Sequence, residues 1–199
     1  MNFAVLASGN GTNLQAIIKA VKGKQIKASL KVVISDKANA FALERARKAG
    51  VPLVVHLDPK QYSSREAFDQ ALVDLLKKEA IDFVVLAGFM RILSPLFIEA
   101  YRNRILNIHP SLLPAFKGGR AIKDAFAFGV KVTGVTVHLV DEEVDHGPII
   151  AQAAVEIKPN DTLDMLTEHI HEAEHQLYPY AINQFIRGKV RVHGRQIVL

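Results

Sequence analysis

Short apolar runs alternate with stretches of helical periodicity through the first half of the chain. The apolar runs have strand length and lack the polar alternation of a half-exposed strand. They are residues 3–7, 30–34, 52–56 and 83–87. Between them, apolar residues recur at helical spacing over 12–21, 40–49 and 65–78. Buried strands separated by helices predict a parallel sheet that is covered on both faces, with right-handed crossovers.

The second half follows a different pattern. Residues 131–140 alternate between apolar and polar, and 149–157 form another strand-like run close behind them. The short connection predicts a mixed or antiparallel extension of the same sheet. Asp161-Thr162 is predicted to cap a helix that continues to about residue 186 and is interrupted or bent near Pro179. Residues 189–192 and 195–199 predict a terminal hairpin, and the whole chain is interpreted as one domain.

The composition narrows the class of protein. The 199 residues are 49% hydrophobic, which suffices for one sizeable core. The chain has no cysteine, which excludes disulfides, thiolate metal sites and cysteine nucleophiles and favours a cytoplasmic location. The apolar N-terminus lacks a basic segment, so it is predicted to be a strand and not a signal peptide. No apolar run approaches the roughly 20 residues that span a bilayer.

The net charge indicates which class of ligand the protein could bind. The formal net charge is +5 and the lysines and arginines are spread along the chain. A basic stripe interleaved with aromatic residues, as expected for nucleic-acid binding, is not visible. The charge therefore favours small anionic substrates over nucleic acid.

A glycine-rich turn joins the first predicted strand to the first helix. Its sequence is Ser8-Gly9-Asn10-Gly11-Thr12-Asn13. Two glycines allow backbone N–H groups to face an anion at a helix N-terminus, and the neighbouring side chains add donors. A tight turn that needs glycine only for its geometry is the alternative. A dinucleotide site is a second alternative, with Asp36 as the ribose ligand, but Leu14 replaces the third small residue of that motif and favours a single phosphate.

An amide, an imidazole and a carboxylate are the candidate catalytic groups. Asn107 and His109 lie two residues apart at the end of a predicted strand, so their side chains share one face. Asp145 lies in the turn-forming sequence before Gly147. Together these groups can hold a carbonyl oxygen and move a proton. The alternatives are a satisfied strand-end histidine and an aspartate that only caps its own turn.

His171-Glu172-Ala173-Glu174-His175 formally matches the zinc-hydrolase motif H-E-x-x-H. Such a site needs a third ligand, usually downstream of the motif. After His175 there is no Asp or Glu, and the only other histidine is His193. No metal is therefore expected, and the zinc hydrolase remains an alternative.

Four motifs carry a resemblance to a known family. They are 8–15, 86–93, Asn107-Ile108-His109-Pro110-Ser111-Leu112-Leu113-Pro114, and 134–145 with Gly147. With them the chain resembles the phosphoribosylglycinamide formyltransferases, folate-dependent enzymes of purine biosynthesis, over nearly its full length. The resemblance implies an α/β, Rossmann-like formyltransferase fold. It divides residues 1–199 into a phosphate-binding half, about 1–100, and a folate and catalytic half, about 101–199.

The resemblance also implies a reaction and its site residues. The formyl group of 10-formyltetrahydrofolate, a co-substrate, would pass to the amine of 5-phosphoribosylglycinamide, without a metal. Asn107, His109 and Asp145 would be catalytic, and Glu174 would bind the ribosylglycinamide. The phosphate would contact Gly11, Thr12 and Asn13. The implied folate contacts are Arg65, Met90, Arg91, Ile92, Leu93, Asn107, Val140, Asp141, Glu142, Glu143 and Val144.

Several points stay open at this stage. A 10-formyltetrahydrofolate hydrolase or another folate-dependent formyltransferase would use the same pocket, and a nucleotide-binding regulatory module would use only the glycine turn. A cis peptide is implied at Leu113–Pro114. The loop 116–121 departs from the family through Arg120, whose role is open. Monomer and homodimer are both compatible with the sequence, and neither a membrane nor a nucleic-acid partner is expected.

Overall fold

The computed structural model describes residues 1–188 and 190–198 and is built around a seven-stranded sheet. The strand order is β3-β2-β1-β4-β5-β6-β7. The strands are β1 Asn2–Leu6, β2 Ser29–Ser35, β3 Leu53–His56, β4 Phe83–Leu86, β5 Ile105–His109, β6 Val132–Leu139 and β7 Ile149–Glu156. Strands β1 to β5 pair in parallel, whereas β6 and β7 add antiparallel to the β5 edge. The predicted parallel sheet with an antiparallel extension is confirmed.

The helices include four that begin and end close to the predicted residues and two short ones that were not predicted. They are α1 Thr12–Lys22, α2 Phe41–Ala49, α3 Arg65–Lys78, α4 Pro95–Ala100, α5 Ala121–Phe128 and α6 Leu163–Ile186. Thr162 caps α6 as predicted, because its side chain accepts a hydrogen bond from the Met165 N–H at 3.2 Å. Gly50 ends α2 in the left-handed conformation that only glycine adopts at little cost.

Alternate residues of the central strands feed two separate cores. Phe3 and Val5 of β1 are fully buried against α1, α2 and α6 on one face of the sheet. Ala4 and Leu6 are fully buried against α3 and α4 on the other face. Because both faces are covered, the central strands β1 and β4 are apolar at nearly every position, which is the pattern that predicted the sheet.

Three short elements were absent from the sequence prediction. They are α4, α5 and a 3-10 turn at Pro59–Gln61. The first two have 6 and 8 residues, too few for a helical apolar period to stand out from the background. The 3-10 turn is stabilised at its start by Asp58, whose carboxylate accepts a hydrogen bond from the Lys60 N–H at 3.0 Å.

An interruption or a bend was predicted near Pro179. The interruption is wrong, whereas the bend stays a prediction. Helix α6 is one element of 24 residues, with Pro179 buried inside it. Proline removes one backbone hydrogen bond from a helix interior. Burial of the α6 face that carries Leu166, Ile170 and Tyr178 offsets that loss, since these side chains are fully buried.

The terminal hairpin is present but shorter than predicted. Its strands are β8 Arg191–His193 and β9 Gln196–Val198, which pair antiparallel. Lys189 and Leu199, which the prediction included, lie outside the described residues. Within the described part of the chain, no helix is long and apolar enough to cross a membrane.

The carboxyl ends of three neighbouring strands form one edge of the sheet. The glycine turn follows β1, the segment 88–93 follows β4, and His109 is the last residue of β5. The Ser8 N–H donates to the Gly88 carbonyl at 3.0 Å, and the Met90 N–H donates to Ser8 Oγ at 2.9 Å. These bonds fix the start of the glycine turn against the segment that follows β4.

Candidate active site

Strand β5 places the amide and the imidazole on one face of the sheet edge. Asn107 and His109 are separated by one residue, and both line the same cavity. His109 is 4% exposed. Its Nε2–H donates to the Phe116 carbonyl at 2.8 Å, because a carbonyl oxygen can only accept.

Asp145 comes from the loop between β6 and β7 and meets His109. Asp145 Oδ2 lies 3.3 Å from His109 Nδ1 and accepts a hydrogen bond from the Gly118 N–H at 2.8 Å. Both ring nitrogens of His109 therefore face acceptors, an arrangement that the doubly protonated ring satisfies. His109 and Asp145 thus meet in the structure across 36 residues of sequence, a contact that the sequence left open.

The backbone around Asp145 is strained and closely packed. Asp145 has φ 49°, a left-handed conformation that aspartate tolerates better than most residues. Two residues later, a Cβ on Gly147 would lie 2.0 Å from the Leu139 carbonyl oxygen. Glycine at 147 allows the loop to turn close to β6, and this close turn directs the Asp145 carboxylate toward His109.

His138 is a site residue that sequence reasoning missed. Its Nδ1–H donates to the Leu139 carbonyl at 2.8 Å, so its Nε2 is free to accept from the Asn107 amide at 3.2 Å. Burial lowers the pKa of His138, which favours this neutral form. The carboxylate of Asp145 lies 3.8 Å from the same Nε2. The available signal was a histidine two residues after Thr136, on the same face of an alternating strand.

A cavity of about 310 Å³ joins these residues to the segments on either side. Its lining includes Asn107, His109 and Asp145. It also includes the following predicted folate contacts: Met90, Arg91, Ile92, Leu93, Val140, Asp141, Glu142, Glu143 and Val144. Arg65 is not part of this lining. Its guanidinium contacts Glu66 at 3.4 Å on the surface.

The cavity offers both apolar surface and unused polar groups. Met90 is 75% exposed and Ile92 is 60% exposed, so two large apolar side chains two residues apart offer contact surface in this cavity. Arg91 stacks its guanidinium on the Phe68 ring at 5.0 Å, while its buried Nε–H has no partner among the described residues. This combination fits a flat, partly polar ligand such as a pterin.

The loop 141–146 is tied to the terminal hairpin. The His146 Nδ1–H donates to Asp141 Oδ2 at 2.8 Å, and the Arg195 guanidinium donates to the His146 carbonyl at 2.7 Å. Arg195 is exposed on the hairpin, and this hydrogen bond joins it to the residue next to Asp145.

The remaining predicted substrate contacts lie around the start of α1. Gly11 is the residue before α1, with φ 77°, and Thr12 and Asn13 form the first turn. The Asn13 amide donates to Glu174 Oε2 of α6 at 3.0 Å, across 161 residues of sequence. Burial raises the pKa of Glu174 to about 7, although the Asn13 hydrogen bond acts in the opposite direction.

The pKa of Glu174 leads to a testable effect on stability. Between about pH 4.5 and 7 the folded protein holds this proton and the unfolded chain does not, so rising pH destabilises the fold through this residue. Glu174→Gln removes the effect and keeps an acceptor for Asn13. We expect Glu174→Gln to stabilise the protein at about pH 8 by on the order of 3 kcal/mol, and to change little at about pH 5.

Urea unfolding at both pH values measures this difference. Glu172→Gln is the matched control, because Glu172 is an exposed carboxylate on the same helix. Equal stabilities of wild type and Glu174→Gln at both pH values would show that Glu174 titrates normally.

The formal zinc motif does not form a recognisable metal site. His171 and His175 stack their rings with centroids 6.4 Å apart. Among the described residues, no group of three or more His, Cys, Asp or Glu side chains is placed to hold a metal ion. Glu174, from the same motif, is engaged with Asn13 instead.

The structure answers the two open points about the Leu113–Pro114 peptide and Arg120. The Leu113–Pro114 peptide is cis, as the resemblance implied. Arg120, whose role the sequence left open, is 79% exposed in its side chain and lies 3.4 Å from Asp124 on the next turn of α5. This exposed pair contributes little to stability.

Comparisons with known proteins agree on one family. A family model described as formyl transferase matches residues 1–182. The phosphoribosylglycinamide formyltransferase of Bacillus subtilis is 45% identical over 184 residues, covering 92% of this chain and 94% of that protein. The Escherichia coli enzyme of the same name is 47% identical over 193 residues, covering 97% of this chain and 91% of that protein.

Solved structures give the same result. The crystal structure of glycinamide ribonucleotide transformylase 1 from Symbiobacterium toebii superposes with a TM-score of 0.97 at 49% sequence identity. The match covers 100% of this chain and 93% of that chain.

Proposed function

The chain belongs to the formyl transferase family, and from this premise we propose that it transfers a formyl group from 10-formyltetrahydrofolate to the amine of 5-phosphoribosylglycinamide. The products are N-formyl-phosphoribosylglycinamide and tetrahydrofolate, and the reaction is a step of purine biosynthesis. The observation that carries the chemistry is the contact of His109 with Asp145 beside Asn107, at the wall of one cavity.

The cavity supports binding of the folate next to these residues. The segment 90–93 and the loop 140–144 would both contact the pterin, because they line the same cavity as Asn107. The exposed apolar side chains of Met90 and Ile92 offer contact surface for the ring. Arg65 lies outside this lining, so its contact with the folate stays a prediction for the ligand's outer part.

The reaction is a direct transfer in which the substrate amine attacks the formyl carbon. Asn107 retains one amide N–H that is not used by His138, and this N–H would hold the formyl oxygen as negative charge develops. His109 would be the second donor to the same oxygen, which requires one of its N–H groups to turn from its present acceptor. Asp145 stabilises the charged His109 through their 3.3 Å contact.

The transfer requires one bond to form, one bond to break and one proton to move. A C–N bond forms between the amine and the formyl carbon, and the bond from that carbon to the folate nitrogen breaks. The amine loses one proton and the folate nitrogen gains one, with Asp145 as the relay. Asp145 is only 10% exposed in its side chain, so the relay is shielded from bulk water.

The acceptor would bind between α1 and α6. The N–H groups of Gly11, Thr12 and Asn13 lie at the start of a helix, where an anion is favoured. Glu174 would contact the ribosylglycinamide from α6. Tyr178, one turn further on, donates its hydroxyl to the Leu106 carbonyl at 2.9 Å, which fixes this part of α6 beside Asn107.

Turnover of 10-formyltetrahydrofolate, followed by absorbance with and without 5-phosphoribosylglycinamide, tests the proposal. We expect consumption only when the ribosylglycinamide is present. Consumption without it would support the hydrolase instead. No consumption in either case would contradict formyl transfer and leave the glycine turn as a nucleotide-binding site to be screened.

A further inference from the structure

Arg45 of α2 holds the glycine turn from outside. Its Nε–H donates to the Asn10 carbonyl at 2.9 Å and its Nη2–H donates to Asn10 Oδ1 at 2.8 Å. A third bond, from Nη1 to Gln15 Oε1 at 3.3 Å, reaches the first turns of α1. One guanidinium therefore connects the residue before Gly11 to the helix after it.

The rest of α2 is fitted to the same turn. The Ala42 N–H donates to the Gly9 carbonyl at 3.1 Å. A Cβ on Gly11 would lie 2.8 Å from the Ala42 Cα, so the two backbones are in close contact. The Arg45 guanidinium also stacks on the Phe41 ring, 4.7 Å from its centroid. This stacking fixes the plane of the guanidinium group, which donates two hydrogen bonds to Asn10.

The positive charge of Arg45 lies beside the N-terminus of α1. All three of its acceptors are neutral oxygens, so none of them compensates the positive charge. Arg45 lines a cavity of about 380 Å³ together with Thr12 and Lys19. A phosphate held at the N-terminus of α1 would lie within the field of this cation, where the surrounding protein screens it less than bulk water does.

We propose that Arg45 is a positioning residue for the phosphate of the acceptor, an inference that rests on the proposed function. It fixes Asn10 so that the N–H groups of residues 11–13 converge on the phosphate, and it adds positive charge beside them. A lysine would keep the charge but could not bridge two oxygens of Asn10 in one plane. Arg45 thereby makes the enzyme selective for a phosphorylated acceptor.

Kinetics with two acceptors test this role. Wild type, Arg45→Met and Arg45→Lys are compared on 5-phosphoribosylglycinamide and on the same compound without its phosphate. We expect Arg45→Met to raise KM for the phosphorylated acceptor by roughly 10- to 100-fold, as the loss of charge-assisted hydrogen bonds predicts. We expect kcat and the KM for the folate to stay within about twofold of the wild-type values. Arg45→Lys should show a smaller increase in KM for the phosphorylated acceptor than Arg45→Met. With the unphosphorylated acceptor, all three proteins should have the same KM.

Arg47→Met is the matched control, since Arg47 is an exposed arginine on the same helix. An unchanged KM in Arg45→Met would overturn the proposal, and so would equal losses on both acceptors, which indicate general damage. A titration with inorganic phosphate, followed by the backbone amide signals of residues 10–13, tests Arg45 without any turnover. If Arg45→Met weakens phosphate binding there, the inference stands even if the acceptor is not the one proposed, and equal binding overturns it.

Discussion

Replacing Asp145 with asparagine is expected to lower kcat by on the order of a hundredfold or more. Asparagine has nearly the same shape, so Gly118 keeps an acceptor. The negative charge that faces His109 Nδ1 at 3.3 Å is lost, and with it the stabilisation of the charged ring and the proton relay. Absorbance-monitored turnover at saturating substrates measures the effect. Asp74→Asn, an exposed carboxylate on α3, is the control and should retain full activity.

The same experiment separates a catalytic unit from independent contributors. His109→Ala and Asn107→Ala are each expected to lower kcat by a similar factor. Combining His109→Ala with Asp145→Asn should lower kcat by less than the product of the two single losses, because Asp145 acts in part through the imidazole. Near wild-type rates in all three folded single variants would contradict the assignment of this site.

Gly11→Ala is expected to raise KM for the ribosylglycinamide by on the order of thirtyfold or more, with a smaller effect on the folate. Gly11 has φ 77°, and an added Cβ would meet the backbone and the side chain of Ala42 at 2.8 Å. The turn must shift to relieve this contact, and its N–H groups then no longer converge on the phosphate. The strain should also destabilise the protein by about 1–3 kcal/mol.

Gly9→Ala is the matched control for this substitution. It lies in the same turn, does not have a positive φ, and an added Cβ there would meet no atom within 4 Å. Steady-state kinetics and urea unfolding of both variants separate the loss of binding from the loss of stability. If Gly11→Ala binds the ribosylglycinamide as Gly9→Ala does, the turn does not bind the phosphate.

The local chemistry of the site was predictable because it depends on neighbours in sequence. Asn107 and His109 share a face because side chains alternate along a strand. The proposal that the glycine turn binds a phosphate follows from glycines placed between a strand and a helix. The covered parallel sheet follows from apolar runs without alternation, since such strands are stable only when both faces are buried. Each of these inferences uses a period or a spacing of a few residues.

Other features required contacts across the chain. His138 and Arg45 each act on a residue about thirty positions away, Asn107 and Asn10 respectively. The pKa of Glu174 depends on its burial and on Asn13, 161 residues earlier. No periodicity encodes such pairings, because they arise only when β5 is placed beside β6, α2 beside the glycine turn, and α6 beside α1.

The sequence by itself determined the strands of the central sheet, the longer helices and the residue types that are proposed to perform the chemistry. It did so because secondary structure and turn geometry follow from local sterics and from the burial of apolar periods. Only the tertiary structure decided that Asp145 faces His109, that Arg195 holds the neighbouring loop and that Arg65 lies outside the cavity. These outcomes depend on packing between distant segments, where a difference of about an ångström decides whether two side chains make a hydrogen bond.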